Sequence, residues 1–154
     1  MQYVHLGRSG LRVSRLCLGT MNFGPHTTEA DSGQIMDRAL ELGINFFDSA
    51  NVYGWKVGEG VTEQIVGRWL AQGGGRREKV VLATKVTGPR RALHWIRGGP
   101  KALDAANIHT ALEGSLTRLR TDYVDLYQIH WPERNVPMFG QYRFDPAQIG
   151  RAHV

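Results

Sequence analysis

The residues of this chain best suited to chemistry are an acid, a tyrosine, a lysine and a histidine. Asp48, Lys85 and His130 each close a short apolar run, and Tyr53 follows Asp48 by five residues. Charged side chains are costly inside a buried strand, but they are tolerated where the strand ends. The spacing therefore predicts that these polar side chains lie at or near strand ends, where they could act together.

These four side chains suit the protonation of a carbonyl oxygen. A phenol has a pKa of about 10 and is a weak acid at neutral pH, but a nearby lysine cation lowers that pKa. A carboxylate would orient the lysine, and a histidine would hydrogen-bond an oxygen that gains negative charge. Because no side chain delivers hydride, the reaction would need a nicotinamide cofactor.

Each of the four residues also has an ordinary explanation when it is taken alone. Asp48 could be a turn residue, Lys85 a solvated cation, His130 a core or loop residue and Tyr53 a packing residue. Their joint occurrence at successive strand ends favours the functional interpretation.

Parallel strands joined by helices are the elements that must position these residues. Apolar runs end at Thr20, Asp48, Lys85 and His130, which lie roughly 30 to 45 residues apart, enough for one helix between strands. Parallel connectivity brings all four ends to one face, and in α/β barrels that face carries the active site. The pattern predicts an α/β protein.

The remaining segments predict one hairpin and three helices. The hairpin is expected over residues 2–14, and the first helix between Thr28, in a capping box with Asp31, and the C-terminal Gly43. Further helices are expected at about 62–72 and 107–119. Thr62 is the expected cap of the second helix, and either Asp104 or Asn107 that of the third. The Gly-rich stretch ending in Arg76 and Arg77 is expected to be flexible and solvated.

Composition narrows the class of protein. The chain has 154 residues, of which 42% are hydrophobic, so it has enough apolar residues for one core. The net charge of +5 is scattered rather than arranged in a stripe, which favours a solvated surface over a nucleic-acid interface. Cys17, the single cysteine, is expected in the core and suits a reducing cytoplasm. We expect no metal site, no signal peptide and no membrane helix.

Four motifs carry a resemblance to a known family. They are Leu18-Gly19-Thr20-Met21, Asp48-Ser49-Ala50 through Tyr53-Gly54, Ala83-Thr84-Lys85, and the stretch from Thr121 to Pro132. With these motifs the chain resembles the aldo-keto reductase superfamily, and within it the Tas-type subgroup, from residue 2 to about 148. The resemblance implies a (β/α)8 TIM barrel closed at its bottom by an N-terminal hairpin. It also implies NADPH-linked reduction of aldehydes or ketones to alcohols.

The resemblance assigns a role to each site residue. Tyr53 is expected to be the general acid, Lys85 to lower its pKa, Asp48 to pair with Lys85, and His130 to position the carbonyl. The residues expected against the nicotinamide end of the cofactor are Gly19, Thr20, Met21 and Asp48. Trp55 and Trp131 are expected either to wall the substrate pocket or simply to pack.

The chain also departs from the family. A barrel has eight strands and about 250 residues, whereas this chain supplies a hairpin, about four strands and three helices. Residues 1–148 are expected to be the N-terminal half of a barrel, and residues 149–154 a non-native tail or a divergent loop. The segments that choose NADP over NAD are missing. Alone, the chain is expected to be inactive and either poorly stable or self-associating.

Two other functions remain open. The first is a non-catalytic regulatory subunit that retains an aldo-keto reductase-like, cofactor-binding fold. The second, less favoured, treats Arg90, Arg91 and Arg97 as a loop that binds phosphate or nucleic acid.

Overall fold

The N-terminal hairpin forms as the turn chemistry predicts. The computed structural model describes residues 1–54, 58–88, 93–98 and 102–132, so the expected tail at 149–154 lies outside the described residues. Strands β1 (Tyr3–His5) and β2 (Arg12–Ser14) pair antiparallel. The Ser14 amide donates to Asn45 Oδ1 at 2.7 Å. This hydrogen bond attaches the hairpin to the residue that directly precedes the strand Phe46–Asp48.

Four parallel strands alternate with helices, which confirms the α/β prediction. The strands are β3 (Cys17–Gly19), β4 (Phe46–Asp48), β5 (Val81–Val86) and β6 (Leu126–Ile129), in that order across the sheet. The helices are α1 (Glu29–Glu41), α2 (Val61–Leu70), α3 (Arg76–Lys79) and α4 (Ala105–Leu119). Because every strand pairs in parallel with its sequence neighbour, the C-terminal ends of all four strands lie on one rim.

The main core lies between one face of this sheet and the helices. Phe47 and Leu82 from the sheet meet Met36, Val66 and Trp69 from the helices, and each of these side chains is at most 2% exposed. Phe47 and Trp69 stack with ring centroids 5.7 Å apart. Burial of one such side chain stabilises the fold by about 1.5–3 kcal/mol, so this layer holds the strand ends in place.

Two helix caps follow the sequence and one does not. The Thr28 side chain accepts from the Asp31 amide at 3.1 Å, and Asp104 rather than Asn107 caps α4. Thr62, the expected cap of α2, lies inside the helix and donates its hydroxyl to the Phe23 carbonyl at 2.8 Å. Gly60, in the left-handed conformation, occupies the N-cap position instead, so the helix begins before Thr62.

Several apolar residues are exposed, among them Cys17, which was expected in the core. Cys17 is exposed because β3 is an edge strand, paired only with β4 among the residues that the structure describes. Ile35, in α1, and Leu42, directly after it, are 40% and 51% exposed. None of the helices in the described part of the chain is long and apolar enough to cross a membrane.

The connection expected to be flexible and solvated contains a short helix, α3, and a half-buried arginine. The Arg77 guanidinium donates to Asp125 Oδ2 at 2.8 Å and to the Tyr123 carbonyl at 3.1 Å, and it lies over the Tyr123 ring. The Asp125 carboxylate also accepts from the Leu82 amide, so Arg77 joins the starts of β5 and β6. The three glycines are exposed, as expected, but the contacts of Arg77 were not predicted because its partners lie more than forty residues away along the chain.

Candidate active site

The four residues predicted from their spacing lie together at the C-terminal rim of the sheet. Asp48 is the last residue of β4, Lys85 is one residue before the end of β5, and His130 follows β6 directly. Tyr53 lies in the turn after β4, where its amide donates to the Ala50 carbonyl at 3.0 Å. This short turn carries the phenol back over the end of its own strand.

Lys85 is the centre of the cluster. Its ammonium group lies 2.5 Å from Asp48 Oδ2, 2.8 Å from the Ser49 carbonyl and 3.0 Å from the Tyr53 hydroxyl. An ammonium group has three protons and no lone pair, so each contact uses one donor and the Tyr53 oxygen must be the acceptor. The phenolic proton of Tyr53 is therefore not used by Lys85.

His130 lies beside the phenol and is uncharged at neutral pH. Its ring meets that of Tyr53 edge to face, with centroids 5.6 Å apart. Burial, and secondly repulsion from Lys85, lower the pKa of His130 to about 4 against the opposing effect of Asp48. Among the described residues its Nδ1 atom is buried without a hydrogen-bond partner. A neutral imidazole in this place is suited to donate a hydrogen bond rather than a proton.

Apolar residues surround the turn that carries Tyr53. Ala50 and Val52 pack with Leu93 and Ile96 from the long connection after β5, and Trp131 packs on the same cluster. A Cβ atom at Gly88 would lie 2.6 Å from Trp131 Nε1, so a glycine there is needed for the indole to approach. Trp131 is thus observed in packing, its role as a pocket wall stays a prediction, and Trp55 lies outside the described residues.

The residues expected to hold the cofactor lie on the same rim. Thr20 is buried, and both its amide and its hydroxyl donate to the Asp48 carbonyl, at 3.0 and 2.9 Å. Gly19, in register with Asp48, is exposed, with no atom within 4 Å of the place where a Cβ would stand. Met21 is 47% exposed. Gly19 and Met21 thus present an open surface beside Asp48.

Gln128, on β6, also contacts the cluster, and the sequence interpretation missed it. Its Nε2 atom donates to Asp48 Oδ1 at 3.2 Å. A signal was present, because residues two apart on a strand share a face and Gln128 precedes His130 by two.

The arginine-rich connection is only partly described. Arg90 and Arg91 lie outside the described residues. The Arg97 amide donates to Glu59 Oε2 at 2.9 Å and its guanidinium to the Thr87 carbonyl at 3.4 Å. Burial lowers the pKa of Arg97, against the attraction of Glu59. Arg97 thus contacts the protein itself and is not an open cation on the surface.

Comparison with known proteins gives one consistent family. The model of the aldo/keto reductase family matches residues 15–144. The chain is 56% identical over 137 residues to the uncharacterized oxidoreductase YrpG of Bacillus subtilis, covering 89% of this chain and 42% of that protein. It is 46% identical over 144 residues to the Protein tas of Escherichia coli, covering 92% of this chain and 41% of the relative.

A channel-associated protein and a solved structure are also similar. A probable voltage-gated potassium channel subunit beta of Oryza sativa is 39% identical over 141 residues, covering 90% of this chain and 40% of the relative. The holo form of aldo-keto reductase AKR11C1 from Bacillus halodurans superimposes with a TM-score of 0.68 at 43% identity, covering 84% of this chain and 40% of that one. The chain thus spans about two fifths of the length of these relatives.

Proposed function

The chain belongs to the aldo/keto reductase family, and from this premise we propose that its residues 1–148 supply the catalytic half of an NADPH-dependent reductase of aldehydes or ketones. The observation that carries the proposal is the bridge made by Lys85. Its Nζ atom lies 2.5 Å from Asp48 Oδ2 and 3.0 Å from the Tyr53 hydroxyl. That arrangement links an acid, a cation and a carboxylate, as proton delivery to a carbonyl requires.

In this proposal Tyr53 is the general acid. The phenolic oxygen already accepts from Lys85, so its own proton is free to pass to a substrate oxygen. As the proton leaves, the Lys85 ammonium stabilises the phenolate that forms, and Asp48 keeps the ammonium in place. His130, neutral because its pKa is about 4, donates a hydrogen bond to the substrate oxygen and aligns the carbonyl.

NADPH supplies the hydride in such a reaction. Gly19 and Met21 offer an open surface for the nicotinamide, while Thr20 fixes the backbone of Asp48 next to it. These residues fit a nicotinamide, and they are the ones we assign to its binding. The substrate class is a small carbonyl compound. The compartment is the cytoplasm, where the free Cys17 thiol would stay reduced.

The test is Tyr53→Phe in the complete gene product that contains this sequence. Loss of a general acid slows a reaction by about 10²–10⁴-fold, so NADPH oxidation with a panel of aldehydes and ketones is expected to fall by that factor. Quenching of protein fluorescence by NADPH should be retained, since the phenol is not needed to bind the cofactor. Tyr123→Phe is the matched control, because Tyr123 is exposed far from the rim. Near-normal turnover by Tyr53→Phe would remove this residue from the role.

A second candidate is a non-catalytic regulatory subunit. The observation that favours it is the 39% identity to a probable potassium channel subunit beta. The same fluorescence and turnover measurements separate the two functions. A complete protein that binds NADPH but does not oxidise it, whichever aldehyde or ketone is added, would favour the regulatory subunit over the reductase.

A further inference from the structure

We propose that Gln128 is a positioning residue that holds the Asp48 carboxylate, and through it Lys85, in the geometry needed at Tyr53. The inference rests on the proposed function, because it concerns the same cluster. It adds a residue to the four that the motifs single out, and it assigns that residue a task performed through Asp48 rather than on the substrate.

The register of the sheet places Gln128 where this task requires. Gln128 pairs with Lys85 across β5 and β6, and it is half-buried. Its Nε2 atom lies 3.2 Å from Asp48 Oδ1, so its side chain extends past β5 to the end of β4. An ionised carboxylate only accepts hydrogen bonds, so the amide nitrogen must face Asp48, which fixes the orientation of the amide.

Asp48 is thereby held at both of its oxygens. Oδ2 accepts from Lys85 at 2.5 Å and Oδ1 accepts from Gln128 at 3.2 Å. With the second contact removed, the carboxylate is free to rotate about its last torsion and to carry the ammonium group with it. The Lys85 ammonium group is hydrogen-bonded directly to the Tyr53 hydroxyl, so a shift of Lys85 would change the position of the cation at the phenol. Displacements of about 1 Å in such a site slow a reaction by about 10²-fold.

Gln128→Met keeps the length of the side chain and removes the donor. A hydrogen bond to a charged group is strong enough that its loss should lower kcat of the complete gene product by about 10- to 100-fold. The dissociation constant for NADPH should not change, since Gln128 orients the Asp48 carboxylate, whereas the surface assigned to the nicotinamide is formed by Gly19 and Met21 beside the Asp48 backbone. Gln72→Met is the matched control, because Gln72 is exposed just beyond the end of α2. Weaker NADPH binding with unchanged kcat would overturn the inference.

A double variant tests whether Gln128 acts through Asp48. In an Asp48→Ala background, Gln128→Met should have almost no further effect on kcat, because the group it orients is already gone. If the two losses instead multiply, Gln128 acts independently of Asp48 and the inference is wrong.

A conservative variant adds a signature that a purely structural role would not give. In Gln128→Glu the introduced carboxyl donates to Asp48 Oδ1 when protonated but repels it when ionised. The charged or titratable groups of the cluster are Asp48 from β4, Tyr53 from the following turn, Lys85 from β5 and His130 after β6, and Cys17 from β3 interacts electrostatically with Asp48 and Lys85. Turnover relative to the unsubstituted protein should therefore fall as pH rises. A ratio that is constant with pH would contradict the proposal.

Failure of the inference is distinguishable from failure of the proposed function. An active protein in which Gln128→Met keeps its kcat overturns the inference alone. An unsubstituted protein without turnover overturns the proposed function. In that case the contact between Gln128 and Asp48 is tested by urea unfolding of the unsubstituted protein, Gln128→Met, Asp48→Ala and the double variant. The effect of both substitutions together on the unfolding equilibrium constant should differ by about tenfold from the product of their separate effects. Additive effects there would overturn the Gln128–Asp48 link itself.

Discussion

At the scale of single residues, the rim places a phenol that contacts a cation beside an imidazole that is neutral at pH 7. Tyr53 and His130 lie side by side, yet only Tyr53 is contacted by the Lys85 ammonium. Burial, and secondly repulsion from the same cation, lower the pKa of His130 to about 4. Lys85 thus contacts the phenol directly and adds to the effect of burial on the imidazole.

The depressed pKa of His130 makes stability depend on pH. In the unfolded chain a histidine titrates near pH 6.5, so between about pH 6.5 and 4 the unfolded state binds a proton that the folded state does not. Stability is consequently lost as pH falls through this window, by about 2–3 kcal/mol at pH 4.5. His130→Asn should remove that share of the loss in urea unfolding at pH 7 and pH 4.5.

His109→Asn is the matched control for this measurement, because His109 is exposed on α4. It should keep the pH dependence of the unsubstituted protein. The quantity compared is the change in the free energy of unfolding between pH 7 and pH 4.5. A loss of packing that lowers this free energy equally at both pH values therefore cancels. An unchanged pH dependence in His130→Asn would show that this imidazole is not the source.

At this scale the sequence predicted the cluster but not all its contacts. Asp48, Lys85 and His130 could be placed together because parallel connectivity brings successive strand ends to one rim, and Tyr53 follows one of them closely. Gln128 was missed although it lies two residues before His130, because a single neutral amide, taken alone, does not indicate a site. The roles assigned to the four residues, to the cofactor contacts and to Trp131 stay predictions.

At the scale of elements, α2 and α4 approach each other closely at a glycine. A Cβ atom at Gly67 would lie 2.1 Å from the Arg118 carbonyl oxygen and 2.8 Å from the Leu119 backbone. Gly33 in α1 has open space in the corresponding direction. These two helical glycines therefore differ in what faces them.

This pair gives a prediction with an internal control. Gly33→Ala should raise the free energy of unfolding by about 0.5–1 kcal/mol, because alanine is the better helix former. Gly67→Ala gains the same helix propensity but must push α4 away, and overpacking costs about 1–3 kcal/mol, so it should be net destabilising. Urea unfolding of both variants measures this. An equal gain in the two would show that the α2–α4 contact yields without cost.

Long-range polar contacts are the part of the elements that the sequence did not reveal. The Glu63 carboxylate is completely buried, accepting from Thr84 on β5 at 2.6 Å and from Arg118 on α4 at 2.7 Å. Such a network locks β5, and hence Lys85, between two helices. Local caps such as Thr28 were predictable because both partners lie within one turn, whereas Arg118 is 55 residues from Glu63.

At the scale of the whole molecule, the described sheet has two edges. Strands β3 and β6 each pair on one side only within the described part of the chain. Leu16, just before β3, and Ile129, in β6, are each 59% exposed. Unpaired strand edges with apolar side chains favour association with another chain. The relatives, more than twice as long, have further residues with which to cover them.

We therefore expect the polypeptide of residues 1–154, expressed alone, to self-associate, as measured by light scattering over a range of concentrations. Ile129→Lys should reduce the association, since a lysine at a sheet edge opposes pairing with another strand. Leu42→Lys should not, although Leu42 is similarly exposed at 51%, because it lies just after α1, away from both edges. A monomer with a sharp, concentration-independent thermal transition would contradict the expectation, because it would mean that the edges of this sheet are not adhesive.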